Sequence, residues 1–289
     1  MIKVVLITDE NYIKFTMTVI HSILKSTEKK ISIICLVTNI TEDQLAIYRK
    51  KIVHDSIEFL LVNDTYLENI EAKNHVSCTA YLKIFLPNIL KDIDKVIFLD
   101  SDLVVINDIN RLWVQFDDSY TIQAIWNPGY NYDNHVFGLA HDQETFNSGV
   151  MLMNLGEMRK NSDSKKLLEF VNEKNHLTKL NDQAAFNAVY AQKWGSIPLD
   201  WNVQYSFYFK KSSELKLTYH EKKKILTHPS IVHFTSNSKP WMFRNVHPYK
   251  PFFIENYQAI NGKLIYDDKN LISFFKKIKE YSKLLICKE

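Results

Sequence analysis

Apolar residues recur in two rhythms along the first hundred positions. Continuous runs of buried-type residues, IKVVLI (2–7), ISIICLV (31–37), SIEFLLV (56–62) and KVIFL (95–99), have the length and β-branched character of buried strands. Between them the spacing changes to that of helices. Phe15, Val19, Ile20, Ile23 and Leu24 mark a helix after the first run. The capping box TEDQ (41–44) opens another, reaching about Lys51. TAYLKIFLPNIL (79–90) reads as a third helix, punctuated by Pro87. Such alternation predicts an α/β domain with a mainly parallel central sheet and helices on both faces.

Beyond Asp102 the pattern loosens. TIQAIW (121–126), GVMLMN (149–154) and IVHF (231–234) are strand candidates, and residues 163–174 and DQAAFNAVYAQ (182–192) read as helices. Residues 201–230 carry many aromatics and lysines without a clear period and are expected to form loop and short elements. A soft boundary near residue 262 divides a domain of residues 1–262 from an extension, 263–289. Within the extension, Leu271, Phe274, Phe275, Ile278, Tyr281 and Leu285 form a stripe at helical spacing, surrounded by Lys276, Lys277, Lys279, Lys283 and Lys288. Two readings follow: a terminal helix packed on the domain, or a basic amphipathic helix on an anionic membrane surface.

Composition narrows the class. The chain has 289 residues, 46% hydrophobic and 24% charged, as in ordinary globular proteins. A net charge of +3, from 36 basic and 33 acidic side chains, lacks the clustered basic excess of a nucleic-acid binder. Cys35, Cys78 and Cys287 are odd in number, far apart and without metal-ligand spacing, which favours a reducing compartment. The first residues turn acidic too early for a secretory segment, and no apolar run reaches the roughly 18 residues of a membrane span. A cytoplasmic location is therefore expected, with peripheral contact at the inner face of the cell membrane through residues 270–288 as an addition.

Chemistry enters at KVIFLDSDLVVI (95–106), where Asp100 and Asp102 interrupt a buried-type run. An isolated Asp-x-Asp is weak evidence, because a chain of this length contains about one by chance. Asp92-Ile93-Asp94 is such a case, placed in a polar turn before the strand. Asp100 and Asp102 differ in following a strand directly, at the end where open α/β sheets bind ligands. Residues i and i+2 of an extended segment point the same way, so both carboxylates can converge on one cation. Oxygen ligands favour Mg²⁺ or Mn²⁺. The bland alternative is two aspartates capping a turn or a helix near 107–113.

Two metal chemistries compete. Asp100-Ser101-Asp102-Leu103-Val104 matches the D-x-D-x-[TV] nucleophile motif of haloacid-dehalogenase-type phosphatases. That motif normally lies on the first strand, however, and none of the six glycines here is followed by the aspartate such enzymes place after one. The other chemistry is transfer from a nucleotide-sugar. With no G-x-G-x-x-G and no P-loop, a nucleotide here must be held by a metal and side-chain cations instead of a glycine-rich cradle.

Five stretches in order, ITDENY (7–12), FLDSDLVV (98–105), FNSGVMLMNL (146–155), LNDQAAFN (180–187) and HFTSNSKPW (233–241), resemble glycosyltransferase family 8. That group includes bacterial lipopolysaccharide galactosyl- and glucosyltransferases and glycogenin, and the resemblance covers residues 1 to about 260. It implies a GT-A fold, a UDP-sugar donor, Mn²⁺ dependence and retention of anomeric configuration. Asp9, Asn11 and Tyr12 match the family's uridine-binding loop, and Thr8, Val76 and Ser101 join the donor-contacting set. Asp100, Asp102 and His233 match its metal ligands, although a lone histidine in IVHF would otherwise read as a core residue. Lys239 matches the lysine that contacts the diphosphate in H-x-x-G-x-x-K-P-W. Asn147, Asp182 and Gln183 match residues lining the sugar, where the bland reading of Asp182 is a helix N-cap.

There are three departures from the pattern. Ser236 replaces the glycine three residues after the histidine, narrowing backbone approach to a phosphate while offering a hydroxyl. Lys83 stands where the bacterial galactosyltransferases have arginine, keeping the charge without the bidentate fork. Asn127 replaces an aspartate near the sugar, so galactose and glucose both stay open as the hexose. The resemblance implies transfer of that hexose to an acceptor hydroxyl on a glycan, glycoprotein or lipid-linked saccharide. The metal site, with Lys239 and Lys83, would stabilise the leaving diphosphate while Asp182 and Gln183 face the reacting sugar. A module that kept the fold and lost catalysis is the non-enzymatic alternative.

Overall fold

The alternation read along the first hundred residues builds one half of a seven-stranded sheet. The computed structural model describes residues 1–67, 70, 78–128 and 133–287. Strands β1 (Ile2–Asp9), β2 (Ile31–Thr38) and β3 (Ile57–Leu61) are linked by helices α1 (Ile13–Ser26) and α2 (Glu42–Arg49). A 3-10 helix, Cys78–Phe85, and the one-turn helix α3 (Leu86–Ile89) lead into β4 (Lys95–Leu99). There follow β5 (Leu103–Val105), α4 (Asn110–Trp113), β6 (Ile122–Trp126), β7 (Phe146–Asn154), α5 (Leu155–Lys160), α6 (Asp163–Lys174) and α7 (Asp182–Val189). The remaining elements are β8 (Gly195–Ser196), β9 (Val203–Gln204), α8 (Tyr205–Phe209), α9 (Tyr219–Thr227), β10 (Ile231–His233), α10 (Lys250–Asn261) and α11 (Leu271–Ile286).

The large sheet runs β3-β2-β1-β4-β7-β6-β8. The pairs among β1, β2, β3 and β4 are parallel, while β7 is antiparallel to both β4 and β6. Its central strands are buried on both faces, while the edge strand β3 leaves Glu58 and Leu61 exposed. Val5 and Ile7 enter one core with Phe98, Met151 and Phe186, and Val4 and Leu6 enter the opposite core with Ile20, Ile97 and Leu152. Each fully buried side chain of this size contributes roughly 1.5–3 kcal/mol. A small sheet, β5-β10-β9, has its own core of Val232, Phe207, Phe234 and Phe253.

Several local expectations are met closely. Thr41 accepts from the Gln44 amide and Gln44 reaches back to the Thr41 amide, completing the capping box of α2. Asp94 of the upstream pair is exposed and joined to Arg159, as a solvated turn should be. Others change. Residues 78–85 wind as a 3-10 helix, and Pro87 sits in the first turn of α3 instead of interrupting a helix. In the first turn its missing N–H costs nothing and its fixed φ is already helical. The strand at 149–154 begins three residues earlier, at Phe146, and the helix from Asp182 stops at Val189. Within 201–230 the nine-residue helix α9 was not foreseen; its capping box, Thr218 with Glu221, lacks a following apolar stripe, and α9 buries only Lys222 and Ile225.

After α10, which is capped by Gly262 at φ +75°, α11 lies on the surface. It buries only Ser273 and Leu284, leaving Leu271, Ile272, Phe275 and Tyr281 more than half exposed. Polar ties hold it: Asn270 caps its start, Glu280 accepts from the Ser238 hydroxyl, and Lys222 donates to the Cys287 carbonyl at 2.6 Å. Lys288 lies outside the described residues. No helix among the described residues is long and apolar enough to cross a membrane.

Candidate active site

The carboxylate pair lies in the turn between β4 and β5, the point where the chain leaves the large sheet for the small one. Asp100 is still tied to the large sheet, its amide donating to the Gly149 carbonyl on β7 (2.9 Å). Asp102 already belongs to the small sheet, its carbonyl accepting from the Phe234 amide beyond β10 (2.9 Å). Antiparallel pairing of β10 with β5 sets His233 opposite Leu103, beside the aspartates. Donor atoms of Asp100, Asp102 and His233 all lie within 4.8 Å of one another.

His233 is 2% exposed. Its Nε2 lies 3.0 Å from Asp102 Oδ1 and its Nδ1 3.0 Å from Asn202 Oδ1. Gly149 closes this cluster from β7. A Cβ there would sit 2.5 Å from Asp100 Oδ2 and closer still to His233 Cε1, so only glycine fits. The donor set, two carboxylate oxygens and an imidazole nitrogen at one point, suits a divalent cation.

Two lysines balance the acids. Lys83, 3% exposed, reaches Asp182 Oδ2 at 2.8 Å, Asp100 Oδ1 at 3.3 Å and the Ser148 carbonyl at 3.3 Å. Burial alone would pull the Lys83 pKa down, but Asp100 and Asp182 together raise it, so it stays cationic. Lys239 Nζ lies 2.5 Å from Asp102 Oδ2 and 2.8 Å from the Phe234 carbonyl. Burial disfavours ionisation of Asp102, yet Lys239 and His233 outweigh it and hold this carboxyl well below the usual range. At Asp100 burial prevails, and its carboxyl is raised despite Lys83 and His233. Three carboxylates (Asp100, Asp102, Asp182) thus face two ammonium groups, leaving a net negative pocket for a cation.

The C-terminal end of β1, adjacent to β4, supplies the next wall. Asp9 Oδ1 accepts from the Asn11 and Tyr12 amides (3.0 and 3.1 Å), and Thr79 donates to Oδ2 at 3.4 Å. Thr8, Thr16 and Ser101 hydroxyls cluster within 2.9 Å of one another through Thr16, and Ser101 donates to the Ile7 carbonyl. Tyr12 is 40% exposed and meets Trp241 edge-on, while Trp241 stacks on Phe15 at 3.7 Å.

The result is a cleft of about 530 Å³ bordered by Thr8, Asp9, Asn11, Tyr12, Lys83, Asp100, Ser101, Asp102, Asp182 and Lys239. Asn147, Gln183 and Ser236 line an adjoining cavity of about 490 Å³. Ser236 forms a tight turn there with Ser238, its hydroxyl accepting from the Ser238 amide. Val76 lies outside the described residues. Asp182 and Gln183, the first residues of α7, follow Asn181, whose φ of +51° is costly for a side chain other than glycine.

The chain of hydrogen bonds around these positions was not foreseen. Gln183 Oε1 accepts from Asn147 Nδ2 (2.9 Å) and the Ser148 amide (3.2 Å), and Ser148 donates to Asp182. Asn202 donates to Asn147 and faces His233, linking the second cavity's wall to the Asp100–Asp102–His233 cluster. Gly149 carried a signal, a glycine inside a strand, which marks close approach. Asn202, in the patternless stretch after residue 200, carried none.

The family model for glycosyl transferase family 8 matches residues 3–244. General stress protein A of Bacillus subtilis is 31% identical over 199 residues, covering 67% of this chain and 70% of that protein. Glycosyltransferase GlyA of Streptococcus pneumoniae is 28% identical over 169 residues, 58% of this chain but only 22% of that longer protein. Among solved structures, the galactosyltransferase LgtC in complex with donor and acceptor sugar analogues superposes with a TM-score of 0.77. It is 20% identical, over 90% of this chain and 96% of LgtC, a likeness of fold. The architecture is therefore the GT-A fold, and the phosphatase alternative for Asp100–Val104 falls away. A mostly parallel sheet with its carboxylate pair at the strand ends, and a family match running through every motif from ITDENY to HFTSNSKPW, lead to one statement: this chain belongs to glycosyl transferase family 8.

Proposed function

We propose that residues 1–262 form a retaining glycosyltransferase domain moving a hexose, galactose or glucose, from a UDP donor to an acceptor hydroxyl. The observation that carries this reading is the convergence of Asp100, Asp102 and His233 at a cleft that Asp9, Tyr12 and Lys83 also border. Asp9, which borders the cleft, would accept from a uracil N–H with a remaining lone pair, and the partly exposed Tyr12 ring would offer a face for the base. Asp100, Asp102 and His233 would hold Mn²⁺, with Mg²⁺ as the alternative; that ion supplies Lewis-acid stabilisation of a departing diphosphate. Lys239, paired with Asp102 at the edge of the cleft, would offer its ammonium group to the diphosphate.

Transfer breaks the bond from C1 to the diphosphate oxygen and forms one from C1 to the acceptor oxygen. The acceptor's proton passes to the leaving diphosphate. A double displacement would need a free nucleophile beside C1. Asp182 is engaged by Lys83 and Ser148, and the Gln183 carbonyl already accepts two hydrogen bonds. That supports substitution on the same face, with Asp182 and Gln183 orienting the sugar. A panel of UDP-sugars and other nucleotide-sugars, tested for hydrolysis with Mn²⁺, with Mg²⁺ and with chelator, identifies the donor. Asp102→Asn should abolish metal-dependent turnover; undiminished turnover in that variant sinks the metal assignment. UDP binding that needs no metal, with no nucleotide-sugar consumed, would favour a binding module instead.

For residues 263–289 we read a peripheral attachment to anionic membrane. The exposed Phe274, Phe275, Ile278 and Tyr281, interleaved with lysines, support it.

A further inference from the structure

The cavity beside the donor cleft has a charge that the proposed transfer does not explain. It meets the cleft at the start of α7, where Asp182 borders one space and Gln183 the other. Its walls include Tyr205 and Phe209, stacked at 3.9 Å between ring centroids, with Lys210 at the C-terminal end of α8 and Lys283 from α11. Ser206 also lines it, and its buried hydroxyl has no partner among the described residues. A smaller cavity of about 220 Å³ shares Tyr205 and Lys283 and adds Arg244, Lys276, Lys279 and Glu280.

The two spaces together are bordered by five basic side chains and one acid. Glu280 is already committed, accepting the Ser238 hydroxyl, and burial raises its carboxyl. Lys276, Lys279 and Lys283 sit at i, i+3 and i+7 on one face of α11, where like charges repel at a cost to the helix. Such an arrangement is relieved by a bound anion. The aromatic wall presents a flat apolar face of the kind that borders carbohydrate sites.

Resting on the glycosyl transfer proposed above, we infer that the acceptor is an anionic saccharide, bearing a phosphate or carboxylate. Its ring lies along Tyr205 and its anionic group reaches Lys279 and Lys283, with the accepting hydroxyl toward Gln183. The C-terminal helix is then part of the substrate-selecting surface as well as an outer face.

The test is made on the full chain saturated with UDP and Mn²⁺, which fills the donor cleft. Binding of galactose 6-phosphate, N-acetylglucosamine 1-phosphate and glucuronic acid is compared with that of galactose, N-acetylglucosamine and glucose by ligand-observed NMR. At least one anionic sugar should bind about tenfold tighter than its neutral parent, as charge-assisted contacts permit. The advantage should shrink toward about 0.5 M salt, where exposed charges are screened. The double variant Lys279→Gln/Lys283→Gln should lose most of it. The readout is a ratio of two sugars on one protein, so a general loss of fold does not mimic the effect. Equal binding within every pair, or an advantage indifferent to the double variant, overturns the inference. Phosphate and carboxylate are separated by which of the three acids gains. Calorimetric UDP binding in the same samples reports on the donor reading separately; if UDP fails to bind, that reading fails, while the sugar comparison still answers for this cavity.

Discussion

Replacing Gly149 by alanine adds one methyl group at the tightest point beneath the carboxylate pair. The new Cβ would lie 2.5 Å from Asp100 Oδ2 and 3.0 Å from His233 Nδ1, and closer again to His233 Cε1. Unstrained heavy-atom contacts are about 3.5–4.0 Å, so some group must move by about 1 Å. None moves easily. The His233 ring is pinned between Asn202 and Asp102, and the Asp100 amide is bonded to the Gly149 carbonyl itself. Overpacking costs about 1–3 kcal/mol, and losing one hydrogen bond to a charged group costs about 1.5–3 kcal/mol. Their sum, about 2.5–6 kcal/mol, corresponds to a fall in Tm of about 5–12 °C at about 2 °C per kcal/mol for a chain of this size. Displaced ligands should also weaken Mn²⁺ binding by about 10–100-fold. Thermal unfolding across an Mn²⁺ titration measures both. Gly138→Ala is the control, at φ +73° with nothing within 4 Å of the added methyl, and should cost about 1 kcal/mol without touching metal response. A Gly149→Ala protein melting within about 2 °C of the parent, with unchanged Mn²⁺ response, would refute the reasoning.

Lys83→Met leaves Asp100 and Asp182 without their shared buried cation, which should cost about 3–5 kcal/mol in denaturant unfolding; a cost under about 1 kcal/mol would show that solvent already compensates them. His247 is fully buried against Tyr208 and Phe234, and burial lowers its pKa to about 3. Its Nδ1 accepts from the Tyr249 amide, so the proton sits on Nε2. Because the unfolded chain takes up a proton near pH 6.5 and the folded one does not, stability should fall as pH drops from about 6.5 toward 3, by up to about 1.4 kcal/mol per unit. Denaturant unfolding at pH 7 and 4.5 should show this decline in the parent and a shallower one in His247→Leu; equal slopes contradict it. On α11, Phe274→Ser/Phe275→Ser should lower partition onto vesicles rich in phosphatidylserine, and unchanged partition would count against membrane attachment.

The features legible in the chain are those made by neighbours in sequence. Runs of apolar residues announce β1, β2 and β4 because a strand buried on both faces needs nearly every side chain apolar, while the half-exposed β3 admits Glu58. The capping box at Thr41 is complete within four residues, so chain order alone specifies it. The same reasoning went wrong where a local signal lacked an apolar stripe, as at α9, or where proline opened a turn instead of breaking one, as at α3. At KVIFLDSDLVVI, alternation along an extended backbone predicts that Asp100 and Asp102 share a direction, but the pair lies in the bend between β4 and β5, so it is the change of sheet that brings them together.

What no local rule contains is which distant groups meet them. His233 arrives because β10 pairs antiparallel with β5 across some 130 residues. Asn202 arrives from a stretch without period, and Lys83 turns its ammonium to Asp182 as well as Asp100. Family order named several of these positions in advance, but the hydrogen bonds that tie Asn147 to Gln183 and to Asn202 come only from packing. Side-chain direction at a site is set by strand register and by which helix start faces which strand. Those are long-range contacts, so residue order supplies the charges and the tertiary structure decides what they surround.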